Sequence, residues 1–131
     1  TLAYLAALDP NSDFRVVVGG EVFFLHMLDA GVCATTGLMP NVAPQLASRV
    51  HAAWEKRDYE AGFVAQHRAN AFVAAMRGLH SFVPAAGKAV LSRLGLMEKW
   101  IAPPKTTLTD EEADNAFEAV KSFLPEFDEE S

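Results

Sequence analysis

The sequence predicts an α/β fold in which one strand-helix-strand unit is followed by a mostly helical remainder. Three observations predict it. Phe14-Arg15-Val16-Val17-Val18 is β-branched and nearly continuous in apolarity, as a short strand buried on both faces should be, and Gly19-Gly20 breaks it. Glu21 then opens a helical stretch through Ala30 that Gly31 closes, and Val32 to Thr36 offers a second short strand. After Pro40 the apolar residues recur at the three- and four-residue spacing of helices.

Each element follows from local chemistry. Leu2, Leu5 and Ala6 lie among good helix formers and read as the end of a helix. Its abrupt, uncapped start at Thr1 is what a longer chain cut at that point, or a processed terminus, would give. Asp9-Pro10-Asn11-Ser12-Asp13 is a turn. Two strands joined by a single helix should be parallel neighbours with a right-handed crossover. Pro44 suits a first helical turn and is followed by Leu46, Val50 and Trp54 at four-residue spacing. Asp58 caps the next helix, whose predicted apolar face holds Phe63, Val64, Phe72, Val73 and Met76 and whose end lies near Gly78. Pro84 begins another, with Val90, Leu91 and Leu94 leading to Gly95, and Pro103-Pro104 predicts an extended segment. Thr109 with Glu112 forms a capping box for a final helix through Phe117, Val120 and Leu124, ended by Pro125. Glu126 to Ser131 is an acidic, low-complexity tail.

Composition narrows the function classes. Half of the 131 residues are apolar, enough for a core, and no apolar run approaches the roughly 20 residues of a spanning helix. The net charge of −6 is a carboxy-terminal property, because nine acidic residues from Asp110 onward face Lys121 alone. Without a basic stripe and interleaved aromatics, nucleic acid is not the expected partner, and neither is a membrane. Cys33, the single cysteine, excludes an intramolecular disulfide and fits a reducing compartment such as the cytoplasm. Lying in an apolar strand, it reads as a buried, inert thiol. His26, His51, His67 and His80 are scattered without metal-ligand spacing and read as surface or satisfied core residues. Gly19-Gly20 belongs to neither phosphate-binding glycine pattern, so it is first of all a turn. Two parallel strands alone leave two open edges, so further strands are expected from a longer chain or another subunit.

The stretch Phe14-Arg15-Val16-Val17-Val18-Gly19-Gly20-Glu21, with Leu28-Asp29-Ala30-Gly31, Ala34-Thr35-Thr36-Gly37 and Asn41-Val42-Ala43-Pro44, resembles the end of a known family. The family is that of dihydrodipicolinate synthase and N-acetylneuraminate lyase, the pyruvate-handling Schiff-base aldolases. The likeness runs on through Pro84, Lys88 and Leu91 to Leu94-Gly95-Leu96, then through the Pro-Pro linker to a helix starting near Thr109. It implies the last two strands and helices of a (β/α)8 TIM barrel plus a carboxy-terminal helical extension. Residues 1–43 would hold strands seven (Phe14 to Val18) and eight (Ala34 to Gly37), residues 44–125 the eighth helix and the extension, and residues 126–131 the acidic tail. About 160 further residues would be expected ahead of Thr1 for a typical barrel plus extension.

The resemblance also implies chemistry. In the family a lysine on strand six forms an imine with pyruvate or a related 2-keto acid, and a tyrosine on strand five relays protons; both would lie upstream of Thr1, leaving this chain inactive alone. Lys88, Lys105, Tyr4 and Tyr59 are wrongly placed for those roles. What carries over is a substrate-binding set of Gly19, Gly20, Glu21, Thr36 and Gly37 at the carboxy ends of the strands. Gly19 would allow close approach of substrate, the Thr36 carbonyl would face the keto acid, and Glu21 would meet substrate hydroxyls. Where sialate lyases have a second acid and a serine this chain has Val22 and Leu38, which disfavours sialic acid. No catalytic residue, metal or cofactor is expected in these residues. The expected partners are a pyruvate-like 2-keto acid, the rest of the barrel and other copies in a homo-oligomer. The alternative reading is a non-catalytic helical interaction or oligomerisation module derived from the same family.

Overall fold

Val17–Val18 and Ala34–Thr35 form strands β1 and β2, paired parallel with Val17 opposite Ala34 and Val18 opposite Thr35. The computed structural model describes residues 2–9, 13–79 and 82–124. Residues 10–12 of the predicted Asp9–Asp13 turn, His80, Pro125 and the acidic tail lie outside them. Both strands are shorter than the predicted Phe14–Val18 and Ala34–Gly37, because a two-stranded ladder pairs only where both chains run alongside each other. Phe14 and Val17 are more than half exposed, so the expected burial of the first strand on both faces is not met in this chain. Cys33 is likewise exposed rather than buried, its thiol donating to the Val16 carbonyl at 3.4 Å. A sheet of two strands has no layer over both faces and no neighbour at either edge, which accounts for all three exposures.

A short helix α1 (Leu2–Ala6) precedes the sheet. Between the strands a 3₁₀ turn (Glu21–Phe23) leads into α2 (Phe24–Asp29). The stop is the predicted one. Gly31 has φ +97°, its N–H donates to the Leu28 carbonyl at 3.0 Å, and the Val32 N–H reaches back to Met27 at 2.9 Å. This is the doubly bonded left-handed cap that glycine permits. After β2 comes α3 (Leu38–Val42), a short helix the sequence reading did not resolve, and then α4 (Pro44–Glu55).

Helix α4 ends in the same kind of cap, but with Arg57 at φ +57° in place of glycine. A side chain there is strained by its Cβ, so Arg57→Gly is expected to stabilise the chain by about 0.5–1 kcal/mol. An unchanged or lowered urea midpoint would refute this.

Three long helices complete the chain: α5 (Tyr59–Leu79), α6 (Val83–Arg93) and α7 (Asp110–Val120), the last followed by a 3₁₀ turn at Lys121–Phe123. Asp58 caps α5 as expected, its carboxylate accepting from the Ala61 N–H at 3.0 Å. The buried face of α5 is Gly62, Gln66, Ala69, Phe72, Val73 and Met76, whereas Phe63 and Val64 are exposed, a correction to the predicted face. The reason is geometric. Nine residues at about 100° each end half a turn out of phase, so Phe63 and Val64 lie opposite Phe72 and Val73. The Thr109–Glu112 capping box forms in both directions, at 2.7 and 3.2 Å. Pro103–Pro104 is cis and the segment turns there instead of extending.

The main core lies among α3 to α7, where Ala85, Ala86 and Ala89 of α6 meet Ala113 and Ala116 of α7 with almost no exposure. A second cluster of Phe24, Leu25, Leu28 and Val50 seats α2 on α4. Gly87 has no room for a Cβ, which would overlap the Leu38 side chain, so α6 lies directly against α3. Arg93 near the end of α6 bonds Asp114 at 2.6 Å and Asp110 at 3.3 Å, and Lys99 adds a second cation on Asp110 at 2.9 Å. The Lys99 and Arg93 hydrogen bonds hold the Asp110 carboxyl below its ordinary range. No helix among the described residues is long and apolar enough to cross a membrane.

Candidate functional site

Because β1 and β2 are parallel, their carboxy ends open on the same side, and the residues that follow them meet there. Gly19 follows β1, and Thr36 and Gly37 follow β2. Together with Glu21 and Leu38 they form one wall of a cavity of about 310 Å³. The other wall is Val73 and Arg77 from the last turns of α5 and Val83 and Pro84 from the start of α6. Four of the five predicted site residues thus share one cavity. Gly20 is not on its lining; its carbonyl accepts the Phe23 N–H at 3.3 Å as the 3₁₀ turn begins.

Glu21 is the most committed group of this set. Its Oε1 accepts the Met39 N–H at 3.2 Å, so a carboxylate after β1 caps the helix after β2. Gly37 makes that possible. It has φ +157° with ψ −163°, a region open essentially to glycine, and a Cβ on it would overlap Glu21 Oε1 and stand 2.6 Å from Glu21 Cδ. The two strand ends are therefore locked together through one carboxylate lying over one glycine. Gly19 is the opposite case, since a Cβ there would meet no atom within 4 Å. A side chain at that position would extend into open space beside the cavity.

Gln66, the one buried polar residue among the described residues, fixes Glu21 from behind. Its Oε1 accepts the Leu25 N–H at 2.9 Å, and its Nε2 donates to the Glu21 carbonyl at 2.9 Å and to Asn70 Oδ1 at 2.9 Å. Leu25 sits in the first turn of α2, where backbone donors lack intrahelical partners. The sequence reading passed over Gln66 and Arg77. The signal for Gln66 was a polar residue on the same helical stripe as Ala69, Phe72 and Met76. Arg77 had no local signal, because only the packing of α5 brings it to the strand ends.

The lysines within the helical extension are engaged elsewhere. Lys88 Nζ donates to the Trp100 carbonyl at 3.1 Å, and Lys105 Nζ stands 4.8 Å from the Phe82 ring centroid. Tyr59 donates to Asp29 Oδ1 at 3.2 Å, beside the Trp54 indole N–H at 2.9 Å. Among the described residues no three His, Cys, Asp or Glu side chains are grouped to hold a metal ion. A larger cavity of about 610 Å³ lies between α4 and α5, and it contains none of the predicted site residues.

No family model matches the sequence, and neither does any curated protein. Solved structures do. Dihydrodipicolinate synthase from Bacteroides thetaiotaomicron superposes with a TM-score of 0.79 at 21% identity, over 90% of this chain and 41% of that one. N-acetylneuraminate lyase from Mycoplasma synoviae gives a TM-score of 0.81 at 21% identity, over 93% of this chain and 42% of that one. A prophage protein of the dihydrodipicolinic acid synthase family from E. coli K12, solved in complex with pyruvate, gives 0.69 at 19% identity, over 84% and 37%. The chain has the fold of part of these proteins and spans about two-fifths of their length.

Proposed function

We propose that these residues are the carboxy-terminal part of a Schiff-base-forming lyase, aldolase or synthase acting on pyruvate or a related 2-keto acid. One observation carries the reading: Gly19, Glu21, Thr36 and Gly37 converge on one cavity at the carboxy ends of two parallel strands, the side on which barrel enzymes place their chemistry. The shared fold with dihydrodipicolinate synthase and N-acetylneuraminate lyase supports it. In this reading β1 and β2 are strands seven and eight of a (β/α)8 barrel. The half-exposed Phe14 and Val17 are surfaces that the preceding strands cover. The protein works in the cytoplasm as a homo-oligomer.

The reacting amine belongs to a lysine outside these residues. Its lone pair attacks the C2 carbonyl of the keto acid, water leaves, and the protonated imine accepts the electron pair released when a carbon-carbon bond breaks or a C3 proton is removed. The groups of this chain position the substrate. Gly19 leaves room for it beside β1, the peptide at Thr36 and Gly37 lines its path, and Glu21 holds the two strand ends in register and meets substrate hydroxyls.

Borohydride reduction in the presence of pyruvate tests the proposal. The 131-residue chain is expected to form no reducible adduct, because neither Lys88 nor Lys105 lines the cavity. The longest natural gene product that contains it is expected to gain one pyruvate-derived adduct, read as a mass increase on a single lysine. No adduct in that longer protein would leave the helical interaction module standing instead, and an adduct on a lysine of the isolated chain would overturn the site assignment.

A further inference from the structure

We propose that Arg77 selects a 2-keto acid carrying a second anionic group at its far end; this rests on the keto-acid reading above and names the substrate class. Among the described residues, the cavity is lined by two charged side chains, Glu21 and Arg77. Glu21 is already tied to the Met39 N–H. Arg77 makes no ion pair or side-chain hydrogen bond with the described residues, and it stands across the cavity wall from the strand ends. Its neighbours on that lining, Leu38, Val73, Val83 and Pro84, are apolar and offer no competing partner, and Arg77 itself is exposed, open to an incoming anion. A planar fork of donors in such surroundings suits a carboxylate or phosphate oxygen pair.

An arginine in the last turn of a helix also complements the helix dipole, and a purely structural role of that kind would change stability without changing ligand preference. Ligand preference is therefore the readout. Titrating the isotope-labelled chain with 2-oxoglutarate is expected to shift the amides of Gly19, Thr36 and Gly37 together with the Arg77 side-chain N–H, and to saturate at lower concentration than pyruvate. Arg77→Gln is expected to weaken 2-oxoglutarate by roughly ten- to a hundredfold, the loss of one charge-assisted hydrogen bond, and to weaken pyruvate by less, so that the preference for 2-oxoglutarate is lost. Arg77→Lys should restore part of the affinity. Inorganic phosphate that displaces 2-oxoglutarate with the same Arg77 dependence identifies a phosphate subsite, and failure to displace identifies a carboxylate subsite; either supports the proposal. Equal affinity for pyruvate and 2-oxoglutarate, insensitivity to Arg77→Gln, or no response to 2-oxoglutarate overturns it. The measurement reads reversible binding without an imine, so its failure and the failure of the borohydride experiment are distinguishable.

Discussion

Gly37→Ala is expected to destabilise the chain by about 2–4 kcal/mol and to free the Glu21 carboxylate from helix α3. Two costs combine. The backbone at φ +157° and ψ −163° belongs to glycine, and holding a side chain there costs on the order of 1–3 kcal/mol. The new methyl group would also occupy the place of Glu21 Oε1. A carboxylate at the end of a flexible side chain can swing aside, but only by giving up the Met39 N–H, which leaves the first turn of α3 without its cap. The two costs separate in a double-mutant cycle. Glu21→Ala alone removes the cap, and Gly37→Ala in that background should add only the backbone strain, so the pair should couple by about 0.5–3 kcal/mol. Additive losses in denaturant unfolding would show that the carboxylate and the glycine do not meet, and a Gly37→Ala protein as stable as the parent would refute the lock altogether.

The sequence revealed the parts of this fold that depend on neighbouring residues. The Thr109–Glu112 box, the Asp58 cap and the glycine stops at Gly31 and Gly95 are contacts within five residues, and all four form. The parallel pairing of β1 with β2 was legible because one helix between two apolar runs leaves few alternatives. The face of α5 was not. Phe63 and Val64 are as apolar as Phe72 and Val73, and the packing of α3, α4, α6 and α7 decides which side of a 21-residue helix is covered. At the site, the glycines and Glu21 were legible as a strand-end set, whereas the bond from Glu21 to Met39 and the placement of Arg77 were not. Those depend on where α3 and α5 come to rest, a tertiary fact with no short-range pattern.

Gln66→Leu is expected to cost about 2–4 kcal/mol even though it adds apolar surface to a buried position. The gain from an extra apolar side chain is small against what is stranded. The Leu25 N–H, on a residue 2% exposed, loses its acceptor, and the Glu21 carbonyl loses its donor. An unpaired buried donor costs about 1–3 kcal/mol. Gln66→Glu separates the two bonds, because the introduced carboxyl keeps an acceptor for the Leu25 N–H and can donate to the Glu21 carbonyl only while protonated. The folded state therefore raises the pKa of that carboxyl above its unfolded value. The stability it contributes is present below the ordinary carboxylate range and is lost as pH rises through the raised folded value. Unfolding midpoints measured across that range should fall with rising pH for Gln66→Glu relative to the parent, while the Gln66→Leu deficit stays constant. A deficit below about 0.5 kcal/mol for Gln66→Leu would mean that α2 and the Glu21 turn hold their positions without α5. In that case the cavity at the strand ends would owe its shape to the Glu21–Met39 bond alone.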